Sequence, residues 1–153
     1  MQLPGLTAIA LLFALTTPWT LASAQTATDG SDVDVAAIGH KLYIANCSSC
    51  HQATGQGMTN MSPALKDNPI VSGESAQLIQ ILLKGPAAVL PANRPRYGTS
   101  TMDSFYYKLT DDQVAAILTY IRQEFGKDDK APPVDVKDVA AARAKIDPQT
   151  LNN

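Results

Sequence analysis

Charged side chains are absent from the first stretch of the chain: residues Met1 to Thr28 contain no Asp, Glu, Lys or Arg. Within it the run Leu6 to Leu15 is almost wholly apolar, and Pro18 and the small-residue triplet Ala22-Ser23-Ala24 follow. That pattern reads as an export signal over residues 1–24, cleaved after Ala24. The usual basic residues ahead of the apolar run are missing as well, which keeps an uncleaved anchor as the rival reading. A spanning helix needs ~20 predominantly apolar residues, and Thr16, Thr17, Pro18, Thr20 and Ser23 interrupt this stretch early.

A basic excess is also lacking. The formal net charge is −2 with the two signs mixed along the chain, and there is no Gly-rich phosphate loop. Nucleic-acid and nucleotide binding are therefore excluded as the main function. Cysteine and histidine are scarce, two of each. In an exported chain two cysteines three positions apart must pair, bind a metal or be chemically capped. A chain this short makes one small domain whose own buried groups give marginal stability, so a large apolar cofactor would help.

What is present is organised around helices. Residues 25–35 are polar, with Asp29, Gly30, Ser31 and Asp32 together, and read as a flexible lead-in. Val35, Ile38, Leu42 and Ala45 recur at helical spacing just ahead of Cys47. Gly39 is a poor helix former, and its place inside that helix predicts the close approach of a second backbone. Ser72 precedes a run in which Leu78, Ile81 and Leu82 share a face, stopped by Gly85-Pro86. Pro91, Pro95 and Gly98 make 87–100 a long loop leading to Met102. Thr110 with Gln113 forms a capping box, Asp111 and Asp112 suit the positive end of the helix dipole, and Val114, Ile117, Leu118, Ile121 and Phe125 make an apolar stripe ending at Gly126. The compact domain is thus expected over 36–126. Residues 127–153 read as a charged tail with a short helix over Val136 to Ile146, Val139 and Ala142 facing inward, and with Pro148 and the polar end expected to fray.

The chemistry is concentrated in Cys47-Ser48-Ser49-Cys50-His51, a C-x-x-C-H haem-attachment motif. One helical turn separates the two sulfurs, so both face the same way and can form thioethers with two vinyl groups of a porphyrin. His51 then lies over the ring, where one imidazole nitrogen can ligate iron while the other donates to an acceptor that orients it. A bare C-x-x-C also suits a disulfide or a thioredoxin-type dithiol, but the flanks lack the strands of a βαβ unit. A zinc site needs four ligands, and beyond the motif only His40 is available.

From these residues onward the chain resembles the class I cytochromes c, over roughly Ala36 to Gly126. The resemblance implies an all-α fold whose N- and C-terminal helices cross around one covalently bound haem c. It pairs Gly39 and Tyr43 with the region Leu118 to Ile121, including Tyr120. It implies that Pro63 and Leu65 belong to the haem pocket, the Pro63 carbonyl accepting the imidazole N–H of His51. It also implies Met102 as the sixth iron ligand, ahead of Phe105, although Asp103 stands where the family has Pro. Met58, Met61 and His40 are the other candidates, and an unassigned Met is more often gap-filling core. Arg94 and Arg96, in the loop before Met102, are candidates to bond the haem propionates, because a guanidinium matches a carboxylate bidentately.

A His51/Met102 pair leaves iron no open site and favours Fe(II), which implies a one-electron carrier and not an enzyme. The segment from Ala131 to Ala144 also resembles the tails of cytochrome subunits that serve periplasmic alcohol, aldehyde and related dehydrogenases. The expected location is the bacterial periplasm. The expected partners are such a dehydrogenase as donor and an oxidase or another cytochrome as acceptor, with any membrane association made through them. A general shuttle to a terminal oxidase is the second expectation. A haem enzyme or gas sensor, in which Met102 leaves the distal side open, is the third.

Overall fold

The computed structural model describes residues 30–93 and 102–151. The expected signal segment, Arg94 and Arg96 lie outside the described residues. Among those residues there are five α-helices and no strand: α1 Gly30–Asn46, α2 Ser48–His51, α3 Ser75–Lys84, α4 Asp111–Phe125 and α5 Val136–Arg143. The all-α expectation is met.

Helix α1 begins at Gly30, so the segment read as a flexible lead-in over 25–35 is helical from Gly30 onward. Its buried side also differs from the expected stripe. Among its described side chains Gly39 and Tyr43 are the buried positions, with Cys47 one turn further on just past its end, while Ile38 is 50% exposed and Ala45 is exposed. The close approach at Gly39 decides this rotation. A Cβ there would fall 2.8 Å from Tyr120 Cβ and 2.9 Å from the Ala116 carbonyl carbon, so only glycine lets α1 lie on α4. The predicted crossing therefore forms. Tyr43 is fully buried beside it, its ring centroid 5.4 Å from that of Tyr120 and 5.2 Å from that of Phe125.

Helix α4 starts as the sequence indicates. The Thr110 N–H donates to Gln113 Oε1 at 3.0 Å and the Gln113 N–H returns to Thr110 Oγ1 at 3.3 Å, satisfying two of the orphan donors of the first turn. Val114, Ile117, Leu118, Ile121 and Phe125 are buried as the stripe predicts. Helix α3 buries Leu78, Ile79, Leu82 and Leu83, leaving Ile81 only partly covered. Ser72 does not cap it. The Ser72 hydroxyl accepts instead from the Lys127 N–H at 3.0 Å, tying the turn before α3 to the chain leaving α4.

Helix α5 carries Val139 and Ala142 on its inner side, as its spacing indicates, and the tail beyond it does not fray. Ala131, Val134, Val139 and Ile146 are all buried, and Val139 is fully so. The Val134 N–H donates to the buried Thr119 hydroxyl at 2.9 Å, and Gln123 Nε2 donates to the Ala131 carbonyl at 3.0 Å. Helix α5 packs against both α3 and α4. Packing therefore continues past Gly126, because this segment's partners lie on distant helices.

Candidate functional site

The motif sits where α1 hands over to α2. Cys47 closes α1, its N–H donating to the Tyr43 carbonyl at 2.8 Å, and its own carbonyl accepts from the N–H groups of Cys50 at 3.2 Å and His51 at 2.9 Å. The five residues thus form a continued helical turn, as the spacing requires. Both cysteines are free thiols, Cys47 buried and Cys50 exposed. Burial pushes the Cys47 thiol up to about 11, with the Cys50 thiol adding to the effect, so it is held neutral and not primed as a thiolate.

His51 is 9% exposed, and its Nδ1 lies 3.0 Å from the Pro63 carbonyl oxygen. A carbonyl only accepts, so Nδ1 carries the proton and Nε2 carries the lone pair. Burial lowers the His51 pKa and the Pro63 bond opposes this, leaving burial dominant. The imidazole is neutral at pH 7, the form that ligates a metal.

The loop from 52 to 65 is folded back over the motif by backbone bonds. The Gly57 N–H donates to the His51 carbonyl at 2.9 Å, Met58 and Ser62 exchange a pair of bonds at 3.0 Å each, and the Leu65 N–H donates to the Gly55 carbonyl at 2.7 Å. Two further anchors were not foreseen from sequence. The Ser62 hydroxyl donates to the Cys50 carbonyl at 2.6 Å, and the Tyr43 hydroxyl donates to the Gln52 carbonyl at 2.5 Å. Gln52, directly after His51, has φ 63 and ψ 155, a conformation that non-glycine residues rarely hold, so the Tyr43 bond restrains a strained turn. Nothing in the local sequence marks either bond.

Pro63 and Leu65 are half-buried, and Leu65 packs on the core. Met102 is half-buried against the same core, whereas Met61 is 50% exposed. The chain after Met102 is tied to the end of α3, with the Ser104 hydroxyl donating to the Leu83 carbonyl at 2.5 Å and the Phe105 N–H to the Leu82 carbonyl at 3.0 Å. Gly85, at φ 80, brings α3's end so near that a Cβ there would lie 3.2 Å from the Met102 carbonyl oxygen. His40 is exposed and lies against Tyr120, with 5.2 Å between ring centroids. Among the described residues there is no group of three or more His, Cys, Asp or Glu side chains that could hold a metal ion.

Two free thiols one turn apart, followed by a neutral imidazole whose Nε2 carries the lone pair, are the donor set that haem c requires: two thioethers and one axial nitrogen. Haem supplies a one-electron Fe(III)/Fe(II) couple.

The sequence pattern of the family described as "Cytochrome c" matches residues 36–124. The chain is 34% identical over 107 residues to the gluconate 2-dehydrogenase cytochrome c subunit of Pantoea cypripedii, a match covering 69% of this chain and 24% of that protein. It is 29% identical over 134 residues to the fructose dehydrogenase cytochrome subunit of Gluconobacter japonicus, covering 84% of this chain and 27% of that protein. With cytochrome c-552 of Thermus thermophilus the identity is 33% over 121 residues, 74% of this chain and 90% of that protein. The chain thus spans about a quarter of the length of the two dehydrogenase subunits. On the family match and the site geometry together, the chain belongs to the cytochrome c family and is an electron-transfer protein with one covalently attached haem c.

Proposed function

We propose that the chain is a periplasmic one-electron carrier that takes electrons from a periplasmic dehydrogenase, its haem iron held between His51 and Met102. The observation that carries this reading is the 3.0 Å bond from His51 Nδ1 to the Pro63 carbonyl, beside the two free thiols. It fixes the tautomer, so that Nε2 is the ligating atom. Cys47 and Cys50 provide the thioethers, and Pro63 and Leu65 line the proximal side. Among the methionines, Met102 is favoured by its packing on the core and by the Ser104 and Phe105 bonds that hold its segment to α3. Met61 is half exposed, and Met58 is bridged to Ser62, whose hydroxyl is bonded to the Cys50 carbonyl. Arg94 and Arg96 are assigned to the propionates on guanidinium–carboxylate complementarity alone. A thioether ligand stabilises Fe(II), and two protein ligands keep substrate and oxygen off the iron, which suits a carrier and not an enzyme.

Export rests on the uncharged, apolar pattern of residues 1–24. The donor class rests on the likeness to cytochrome subunits whose names include gluconate, fructose and quinone-dependent alcohol dehydrogenases. The test is stopped-flow reduction of the purified ferric protein by such dehydrogenases supplied with their substrates. Rapid second-order reduction by at least one supports the proposed donor. Likeness to subunits whose names include cbb3-type cytochrome c oxidase favours a second reading, a general shuttle to a terminal oxidase. Reduction by no dehydrogenase, together with rapid oxidation by a terminal oxidase, would select that reading.

A further inference from the structure

Arg143, in the last turn of α5, makes contacts that haem attachment does not require. Its side chain is only 18% exposed, and Nε donates to Asp111 Oδ1 at 2.6 Å. Nη1 donates to the Tyr106 carbonyl and Nη2 to the Leu109 carbonyl at 2.9 Å, while the guanidinium carbon lies 5.0 Å from the Tyr106 ring centroid. One side chain thus uses its planar fork on three acceptors and an aromatic face, which a lysine cannot reproduce. Tyr106 and Leu109 stand four and seven residues after Met102. On the other side, Ser104 and Phe105 bond the same segment to the last turn of α3.

We infer that Arg143 is a positioning residue for Met102: the tail grips the segment that carries the distal ligand and holds it against the end of α3. The inference rests on the proposal that Met102 ligates iron. A thioether is a weak ligand that outcompetes external ones only when its segment is held in place, because preorganisation raises its effective concentration at the iron. Charge-assisted bonds from a guanidinium are stronger than neutral ones, and this half-buried one places them on the chain just after Met102. The grip comes from residues beyond 124, where the family match ends.

The test uses the intact haem-loaded protein. Imidazole is titrated into the ferric form, displacement of sulfur is followed by loss of the sulfur-to-iron charge-transfer band, and the reduction potential is measured alongside far-UV helicity. Arg143→Leu is expected to keep its helicity, bind imidazole about tenfold more tightly, the equivalent of one charge-assisted hydrogen bond, and show a lowered potential. Arg143→Lys retains the cation beside Asp111 but not the fork, and is expected between Arg143→Leu and wild type. Imidazole affinity and potential unchanged in Arg143→Leu overturn the inference. If Arg143→Leu does not fold, Arg143→Lys decides, and wild-type affinity in that variant overturns it. Met102→Ala separates this from the underlying reading. A charge-transfer band surviving in Met102→Ala refutes Met102 as ligand whatever Arg143 does, while its loss leaves the Arg143 comparison to stand or fall alone.

Discussion

Tyr43 shows how much one buried side chain carries. Its ring fills the α1–α4 crossing, and its hydroxyl holds the Gln52 turn directly after His51. Burial raises its phenol above the usual 10.0, so the folded protein keeps Tyr43 neutral where the unfolded chain ionises it. The sign follows: the stability that Tyr43 contributes is complete below pH 10 and declines as the pH rises past it. Tyr43→Phe should cost about 1 kcal/mol at pH 7, from the lost bond to Gln52. It should also flatten the decline between about pH 10 and pH 11, as read by denaturant unfolding at both values. Met102 acts at the same scale. Met102→Ala should lower the reduction potential and admit an external ligand, whereas Met58→Ala and Met61→Ala should do neither; potentiometry and the ferric spectrum check this. Cys47, Cys50 and His51 were legible because their chemistry lies in five consecutive residues. The Tyr43–Gln52 bond was not, since a glutamine gives no sign of adopting a positive φ.

At the scale of elements, Gly39 is the point on which α1 and α4 meet. Gly39→Val would put side-chain carbon into the Ala116 carbonyl and Tyr120, and should destabilise the protein by about 2 kcal/mol through overpacking. A drop in the denaturant midpoint with an unchanged slope would bear this out, and a variant as stable as wild type would contradict the close crossing. Gly39 was readable because a glycine inside a helix demands a reason. The side of α1 that carries Gly39 and Tyr43 was legible in the same way, whereas the Val35, Ile38, Leu42, Ala45 spacing points to a stripe of which Ile38 is left half exposed. Helix α4 was legible to its first residue because capping chemistry is local. Ser72 has the same chemistry, but its hydroxyl is engaged by Lys127, a partner 55 residues away that no local pattern reveals.

For the molecule as a whole, the tail changes what counts as the domain. Thr119 receives the Val134 N–H, Val139 is fully buried, and Arg143 reaches Asp111 across 32 residues, so the segment after Gly126 is part of the core. The inward side of its short helix, Val139 and Ala142, was legible from spacing, whereas the bonds to Thr119 and Asp111 were not, because those partners are distant in the chain. Val139→Ala should therefore cost about 2 kcal/mol, in the range of a buried methyl-deletion, where a frayed tail would show no change in thermal midpoint. The central proposal, that this is a carrier whose iron is closed by His51 and Met102, also belongs to the whole fold, since the two residues stand 51 positions apart in the chain. Titration of the reduced, haem-loaded protein with carbon monoxide at neutral pH tests it most directly. The account predicts no binding on mixing and an unaltered reduced spectrum, and rapid formation of a carbon monoxide adduct would contradict it.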